Sequence, residues 1–346
     1  MSSIVLIPFA AFALTVTLHM LALWCFPRWG LLDFPKRYGL ARHPLPYPTG
    51  ILAPIVFMAF FLFLEPKNMQ LWGLVLGISL LAAVCVIDDR RPLHPMIRLT
   101  VQMIAALIIF AKGSRIYTIT NPLEGILSFA YIPLDHWTVD VAVVGSLPIL
   151  SAIFTVFWLG LTMNAMNWFD GIPGQVTLLS TIGFLTIGLL SMSERVNQPS
   201  LALLAFVLAG ISAASFAFDV PPPRVVLGDT GAMFFGLMLG VLTIYEGGKV
   251  ATAFLVLGVP LIDSFIVTIR RIRQGHSPLR GSVKGDHLHH RLLACGWSPQ
   301  QIIALTAGIG TAFGVTALFL GTTEKFVAAL CLAILMLGLT RYSRPA

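Results

Sequence analysis

Four short polar segments of this 346-residue chain carry side chains that could do acid–base, metal or phosphate chemistry. They are Asp88-Asp89-Arg90-Arg91, Asn164-Ala165-Met166-Asn167-Trp168-Phe169-Asp170-Gly171, Gly228-Asp229-Thr230-Gly231 and Asp286-His287-Leu288-His289-His290. Adjacent carboxylates can hold a divalent cation or take a proton, and each raises the other's pKa. The plainer reading of Asp88 and Asp89 is a helix-end pair neutralised by Arg90 and Arg91. Asn164, Asn167 and Asp170 recur at i, i+3 and i+6, an oxygen-rich set suited to a hard cation such as Mg²⁺. The competing reading is polar capping of a helix that Gly171, Pro173 and Gly174 then break. Asp229 is placed either to cap a following helix or, with glycines that admit a phosphate to the backbone, to bind its metal. Three imidazoles in HxHH follow Arg270, Arg271, Arg273, Arg280 and Lys284. Their i, i+2, i+3 spacing does not gather all three on one helical face, and no thiolate stands near to complete a zinc site. Capture of phosphate oxygens by charge or hydrogen bonding fits better.

Each segment ends an apolar run. Hydrophobic residues make up 57% of the chain and charged residues 11%, against ~25% charged in soluble domains. Runs near 3–26, 47–64, 69–87, 97–112, 147–166, 174–193, 200–217, 230–246, 250–269, 301–320 and 324–340 are candidate spans. Together they predict an all-α integral membrane protein, a polytopic bundle of about 11 transmembrane helices with cytoplasmic catalytic loops, since a span needs ~20 apolar residues. A single domain over residues 1–346 is expected, with the first span retained rather than cleaved. Of the 22 Lys and Arg, sixteen fall on one side (Arg28 through Arg344) and six, Lys67, Lys112, Arg115, Arg195, Lys249 and Lys325, on the other. That asymmetry puts the N-terminus outside, and the C-terminus and all four motifs on the cytoplasmic side of the cell membrane. The net charge of +7 is accounted for by topology and contact with anionic lipid, with no nucleic acid partner expected. Residues 113–146 form the longest outside connection, where turn signals at Asn121-Pro122, Gly125 and Pro133 allow a small hairpin. His19 reads as a satisfied buried histidine and His136 as an outside-loop residue.

In order and spacing these residues resemble the polyprenyl-phosphate N-acetylhexosamine-1-phosphate transferase superfamily, and within it the undecaprenyl-phosphate GlcNAc-1-phosphate branch. The resemblance runs from about Asp33 to Leu293. It rests on Asp33-x-Pro35, Asp88-Asp89, Arg98-Leu-x-x-Gln102, Asn164-Ala-x-Asn167-x-x-Asp170-Gly171, Gly228-Asp229-x-Gly231, Val259-Pro260-x-x-Asp263 and the HxHH segment. One departure is Pro173, where the family carries Asp or Asn, so no role of that side chain is carried over. The resemblance implies attack of a polyprenyl phosphate on a UDP-N-acetylhexosamine, giving polyprenyl-diphosphate-sugar and UMP. It implies Asp88, Asp89 and Asp170 as catalytic residues, and Asn167 and Asp229 as ligands of Mg²⁺, with Mn²⁺ as an alternative. It further implies Arg98, Asn164, Asp263, His287, His289, His290 and Arg291 at the substrate, and leaves room for a homodimer. Two other readings stand beside it: the phospho-MurNAc-pentapeptide transferases of the same superfamily, and a transporter, which would place its polar groups near the bilayer midplane between inverted repeats.

Overall fold

The computed structural model describes residues 2–38, 42–65, 67–123, 127–141, 145–245, 250–277 and 285–343. Thirteen α-helices run along them: α1 (Ser2–Arg28), α2 (Leu52–Leu64), α3 (Met69–Arg90), α4 (Pro95–Ala111), α5 (Ile149–Phe169), α6 (Gln175–Met192), α7 (Pro199–Asp219), α8 (Asp229–Tyr245), α9 (Val250–Val256), α10 (Gly258–Arg273), α11 (Leu288–Ala294), α12 (Pro299–Phe319) and α13 (Thr322–Tyr342). Seven of these, α1, α3, α5, α6, α7, α12 and α13, are long and apolar enough to cross a membrane. The run expected as one span over 250–269 is instead broken at Leu257, where α9 and α10 meet at 85°; as a pair they make an eighth. Three of the eleven expected spans correspond to shorter apolar helices, Thr49–Leu64, Pro95–Ala111 and Asp229–Tyr245. At ~1.5 Å per residue a helix of that length falls short of the ~30 Å hydrocarbon core. By length and composition the protein is therefore all-α with seven or eight membrane-capable helices.

α8 is the axis of the bundle. Every residue from Thr230 to Ile244 is buried, as expected of a helix that is apolar on all its faces. α5, α3 and α6 pack around it, and α7 joins α6 and α1 further out. The approach of α5 to α8 depends on Gly236 and Gly240. A Cβ on Gly236 would lie 2.6 Å from the Thr162 carbonyl oxygen, and one on Gly240 would lie 2.7 Å from the Thr162 hydroxyl. Small residues one turn apart let helix backbones meet where lipid gives no hydrophobic drive for association.

Between α4 and α5 the chain forms two antiparallel hairpins where one was expected. β1 (Thr118–Thr120) pairs with β2 (Tyr131–Pro133), and β3 (Thr138–Val141) with β4 (Gly145–Pro148), which runs directly into α5. Gly125 lies outside the described residues, as do Lys249, Pro278, Arg280, Lys284 and Arg344.

Candidate active site

The C-terminal ends of α3 and α5 and the N-terminal ends of α4 and α8 meet at one end of the bundle, and Arg98 stands at their centre. Its Nη1 lies 2.9 Å from Asp88 Oδ2 and 2.9 Å from Asp229 Oδ2. One guanidinium thus bridges carboxylates from two helices. Asn167, with its amide turned to satisfy both neighbours, donates from its nitrogen to Asp229 Oδ1 (3.1 Å) and accepts at its oxygen from Arg98 Nη2 (3.2 Å). Asp88 is buried, and its other oxygen accepts the Leu93 N–H at 2.6 Å. Asp229 and Asn167 keep some exposure, so the hard-oxygen edge of the cluster is its accessible edge.

Asp89, next to Asp88, faces another set of partners. One oxygen accepts from the Tyr47 hydroxyl (2.8 Å) and the Asp229 N–H (2.9 Å); the other accepts from the Thr230 hydroxyl (2.6 Å) and N–H (3.2 Å). A helix leaves its first N–H groups without partners, and Asp89 supplies that cap to α8 from α3. Asp229, the residue placed by sequence to cap its own helix, is thereby released toward Arg98. Gly228 has φ +80°, and a Cβ there would lie 2.8 Å from the Tyr47 ring and 2.9 Å from the Asp89 carboxylate. Tyr47 is delivered by the loop after α1, which Asp33 staples: its carboxylate binds Arg42 (2.6 Å) and the Leu45 N–H (2.7 Å).

Asp170 follows α5 and has no hydrogen-bond partner for its carboxylate among the described residues. Burial, and after it the neighbouring Asp219, Asp229 and Asp89 carboxylates, holds its pKa well above the usual carboxylate range. The turn it opens rests on Asp219, at the end of α7, whose Oδ2 accepts the Gly174 N–H (2.7 Å) and the Thr177 hydroxyl (3.2 Å).

A second cluster lies against this turn. His287 precedes α11 and is fully buried, its Nδ1 2.8 Å from Asp263 Oδ2; Asp263 Oδ1 accepts the Leu288 N–H at 3.0 Å. Because His287 stands before the helix rather than in it, the helical-face argument against gathering the three imidazoles does not hold. The His287 and His289 rings lie parallel with centroids 5.8 Å apart, and His289 is 4.2 Å from His290. Burial lowers the His289 pKa far below its ordinary value, and the imidazoles on either side add to this. That ring is neutral, so it offers hydrogen bonding rather than charge. The Nε2 atoms of His287 and His289 are buried with no hydrogen-bond partner among the described residues. Gly171 carries no Cβ because the His289 ring occupies that space.

Two expected substrate residues are engaged within the bundle. The Asn164 amide nitrogen donates to Gln102 Oε1 (2.6 Å) and to the Gly160 carbonyl (2.8 Å), tying α5 to α4. Arg291 is buried and donates to the Thr340 carbonyl of α13 at 2.8 Å. His19 is satisfied on one side only: Nδ1 meets the Thr15 carbonyl, and Nε2 has no partner. Tyr47, Asp219 and Trp168, whose ring lies tilted beside His287 and under Arg271, were given no role by the motif reading. Asp219 carried the same signal as the others, a carboxylate closing an apolar run just ahead of a break at Pro221-Pro222-Pro223.

The sequence pattern that defines the family described as glycosyl transferase family 4 matches residues 71–247, which include the bridge, the Asp89 cap and the Asp170 turn. A probable undecaprenyl-phosphate N-acetylglucosaminyl 1-phosphate transferase of Bacillus subtilis is 24% identical, over 88% of this chain and 78% of that protein. A decaprenyl-phosphate N-acetylglucosaminephosphotransferase of Mycolicibacterium smegmatis is 27% identical, over 80% of this chain and 72% of its own. An undecaprenyl-phosphate alpha-N-acetylglucosaminyl 1-phosphate transferase of Salmonella typhi is 27% identical, over 83% and 77% respectively.

Proposed function

We propose, since the chain belongs to glycosyl transferase family 4, that it transfers an (N-acetyl)hexosamine-1-phosphate from a UDP-sugar to a polyprenyl phosphate such as undecaprenyl phosphate. An oxygen of the lipid phosphate attacks the β-phosphorus of the UDP-sugar, the bond from that phosphorus to the bridging oxygen breaks, and UMP leaves. Curated relatives bearing that activity in their names cover most of this chain. The observation that carries the reading is the Arg98 bridge between Asp88 and Asp229 beside Asn167. Two anions must meet in this reaction, so neutralising charge dominates the barrier, and a cation poised between carboxylates at a helix end suits that task.

The donor set fits Mg²⁺. Asn167 and Asp229 bring amide and carboxylate oxygens to the accessible edge, where Arg98 engages them, and among the described residues no group of three or more His, Cys, Asp or Glu forms a protein cage. Mg²⁺ favours that arrangement, with substrate phosphates and water filling its shell. When bound it would supply electrostatic stabilisation of the diphosphate. Arg98 holds phosphate oxygens, and Asp88, with both oxygens engaged, orients Arg98 and the lipid phosphate rather than attacking. A phosphate monoester has its second pKa near ~6 and is already mostly the nucleophilic dianion at neutral pH. Asp89 keeps the Gly228–Gly231 turn in place, Asp170 stands beside the diphosphate, Asp263 anchors His287 through Nδ1, and His289, held neutral by burial, hydrogen-bonds phosphate oxygens without adding charge.

The remaining features of the reading are a single domain, about eleven crossings of the cell membrane if the bent pair and the three shorter helices each cross, the N-terminus outside, a cytoplasmic active site and room for a homodimer. A transporter is disfavoured because the polar groups stand at helix ends and not in their middles. The direct test incubates purified protein with undecaprenyl phosphate, Mg²⁺ and a panel of UDP-sugars and assays UMP. Lipid-dependent UMP from at least one sugar is expected; none from any of them would overturn the reading. For topology, a cysteine at Ser193 should react with an impermeant reagent from outside, and one at Gly275 should not.

A further inference from the structure

The turn that carries Asp170 has little of its own to hold it: the Gln175 N–H reaches back to the Ile172 carbonyl at 3.1 Å and the Thr177 hydroxyl to the Gly174 carbonyl at 3.2 Å. Between Asp170 and the start of α6 the chain reads Gly171-Ile172-Pro173-Gly174, four residues with no polar side chain. Two glycines also leave a backbone with wide freedom, and Gly174 takes φ +86°. Yet this turn must aim a carboxylate and set Gly171 against the His289 ring. The constraint comes from outside. Asp219 is 2% exposed, and its Oδ2 accepts both the Gly174 N–H and the Thr177 hydroxyl. The end of α7 closes the other side, since a Cβ on Gly174 would lie 3.1 Å from Val220 Cα and 3.2 Å from the Phe216 ring. Burying a carboxylate is costly unless its bonds compensate, and the proposed reaction gives Asp219 no task.

We infer that Asp219 is a positioning residue for the transfer reaction, fixing the 170–174 turn from α7 so that Asp170 faces the Arg98 cluster while Gly171 seats the imidazole cluster. This rests on the transferase reading. What matters in it is an acceptor oxygen at this place, more than the charge. Asp219→Asn keeps an acceptor for the Gly174 N–H; Asp219→Ala removes it. A misplacement of about 1 Å in a catalytic group can cost ~10²-fold in rate.

The test has two arms. In the kinetic arm, Asp219→Ala is expected to lower kcat by about 10- to 100-fold with KM changed less than about threefold, while Asp219→Asn retains kcat within about threefold. Thr177→Val, which removes the hydroxyl's contacts with Asp219 Oδ2 and the Gly174 carbonyl but leaves the Gly174 N–H bond to Asp219 in place, covers the case in which the alanine variant fails to fold, and should lower kcat by about two- to fivefold with melting temperature little changed. In the second arm, hydrogen exchange is followed over residues 171–178 in the apo protein. The Gly174 amide should exchange at least about tenfold faster in Asp219→Ala than in wild type or Asp219→Asn, about tenfold being the kinetic equivalent of one such hydrogen bond. An active wild type with an equally active Asp219→Ala overturns the inference and leaves the transferase reading standing. A wild type inactive on every UDP-sugar overturns the reading, and the exchange arm still decides whether Asp219 fixes the turn. Equal loss in Asn and Ala variants overturns the inference, because the charge and not the acceptor would then be at work.

Discussion

The carboxylate cluster around Arg98 and the imidazole cluster around His287 touch at Gly171 but solve opposite problems. The first gathers charge: Asp88, Asp229 and Arg98 sit within ion-pair distance, and the accessible edge carries both the Asp229 carboxylate and the Arg98 guanidinium. The second avoids charge: three rings are packed together, His289 is held neutral by its burial, and the Nε2 atoms of His287 and His289 have no hydrogen-bond partner among the described residues. Charge is worth having where a cation or phosphate will be neutralised, and costly where no counterion reaches. The comparison teaches that such a site can divide its labour between an electrostatic half and a hydrogen-bonding half.

The comparison breaks most severely if the electrostatic half is dispensable. Asp229→Asn and Asn167→Ala are each expected to reduce turnover by at least about 10²-fold, with activity abolished by excess EDTA, as for loss of a metal-held transition state. Full turnover in EDTA would remove the ground for the division. Next comes Asp88. If it orients and does not accept a proton, Asp88→Asn retains a residual rate that rises with pH as the remaining lipid phosphate monoanion is lost. The loss at pH 8.5 should stay below about tenfold, against the ~10²–10⁴-fold typical of general-base assistance. A sugar-phosphorylated Asp88, Asp89 or Asp170 trapped by mass spectrometry, competent to pass its group to added lipid, would replace this account with a covalent one.

A smaller effect sharpens the neutral half. His289 has its pKa lowered in the folded protein, so the fold favours the uncharged ring. Its contribution to stability is complete above the unfolded value of ~6.5 and is lost as pH falls below it. The melting temperature should therefore drop between pH 7 and 5.5 in wild type and drop less in His289→Gln. Asp170 is raised and so works in the opposite sense, losing stability as pH rises, which makes the wild type minus Gln difference the quantity to read. An identical slope in both proteins would show that the ring is not held neutral by its surroundings. The smallest effect is expected at the cap: Thr230→Val removes one of four hydrogen bonds to Asp89 and should cost about 1 kcal/mol of stability with activity within a few-fold.

Membrane class and the polar motifs were legible because apolar runs and helix-end carboxylates are local signals. What each carboxylate touches was not. Asp89 and Asp229 are separated by long stretches of chain, and only the packing of α3 on α8 shows that the first caps the helix the second begins. The break at Leu257 did carry a local signal, Gly258 and Pro260 directly after it, but an unbroken apolar run over 250–269 outweighed these helix-breaking residues in a reading by hydropathy. The three imidazoles were misjudged because the spacing argument assumed a helix that starts only at Leu288. Asn164 and Arg291 looked ready for substrate because sequence does not show that Gln102 and the Thr340 carbonyl meet them first.

Among the helices that begin at this end of the bundle, α6, α8 and α11 each take a carboxylate from elsewhere on a leading N–H: Asp219, Asp89 and Asp263. A helix carries roughly half a positive elementary charge at its start. The three starts together hold about one and a half positive charges that no pH change can titrate, set against the three carboxylates that cap them. Each of those acids is thus answered by backbone, whatever the protonation of the side chains around it.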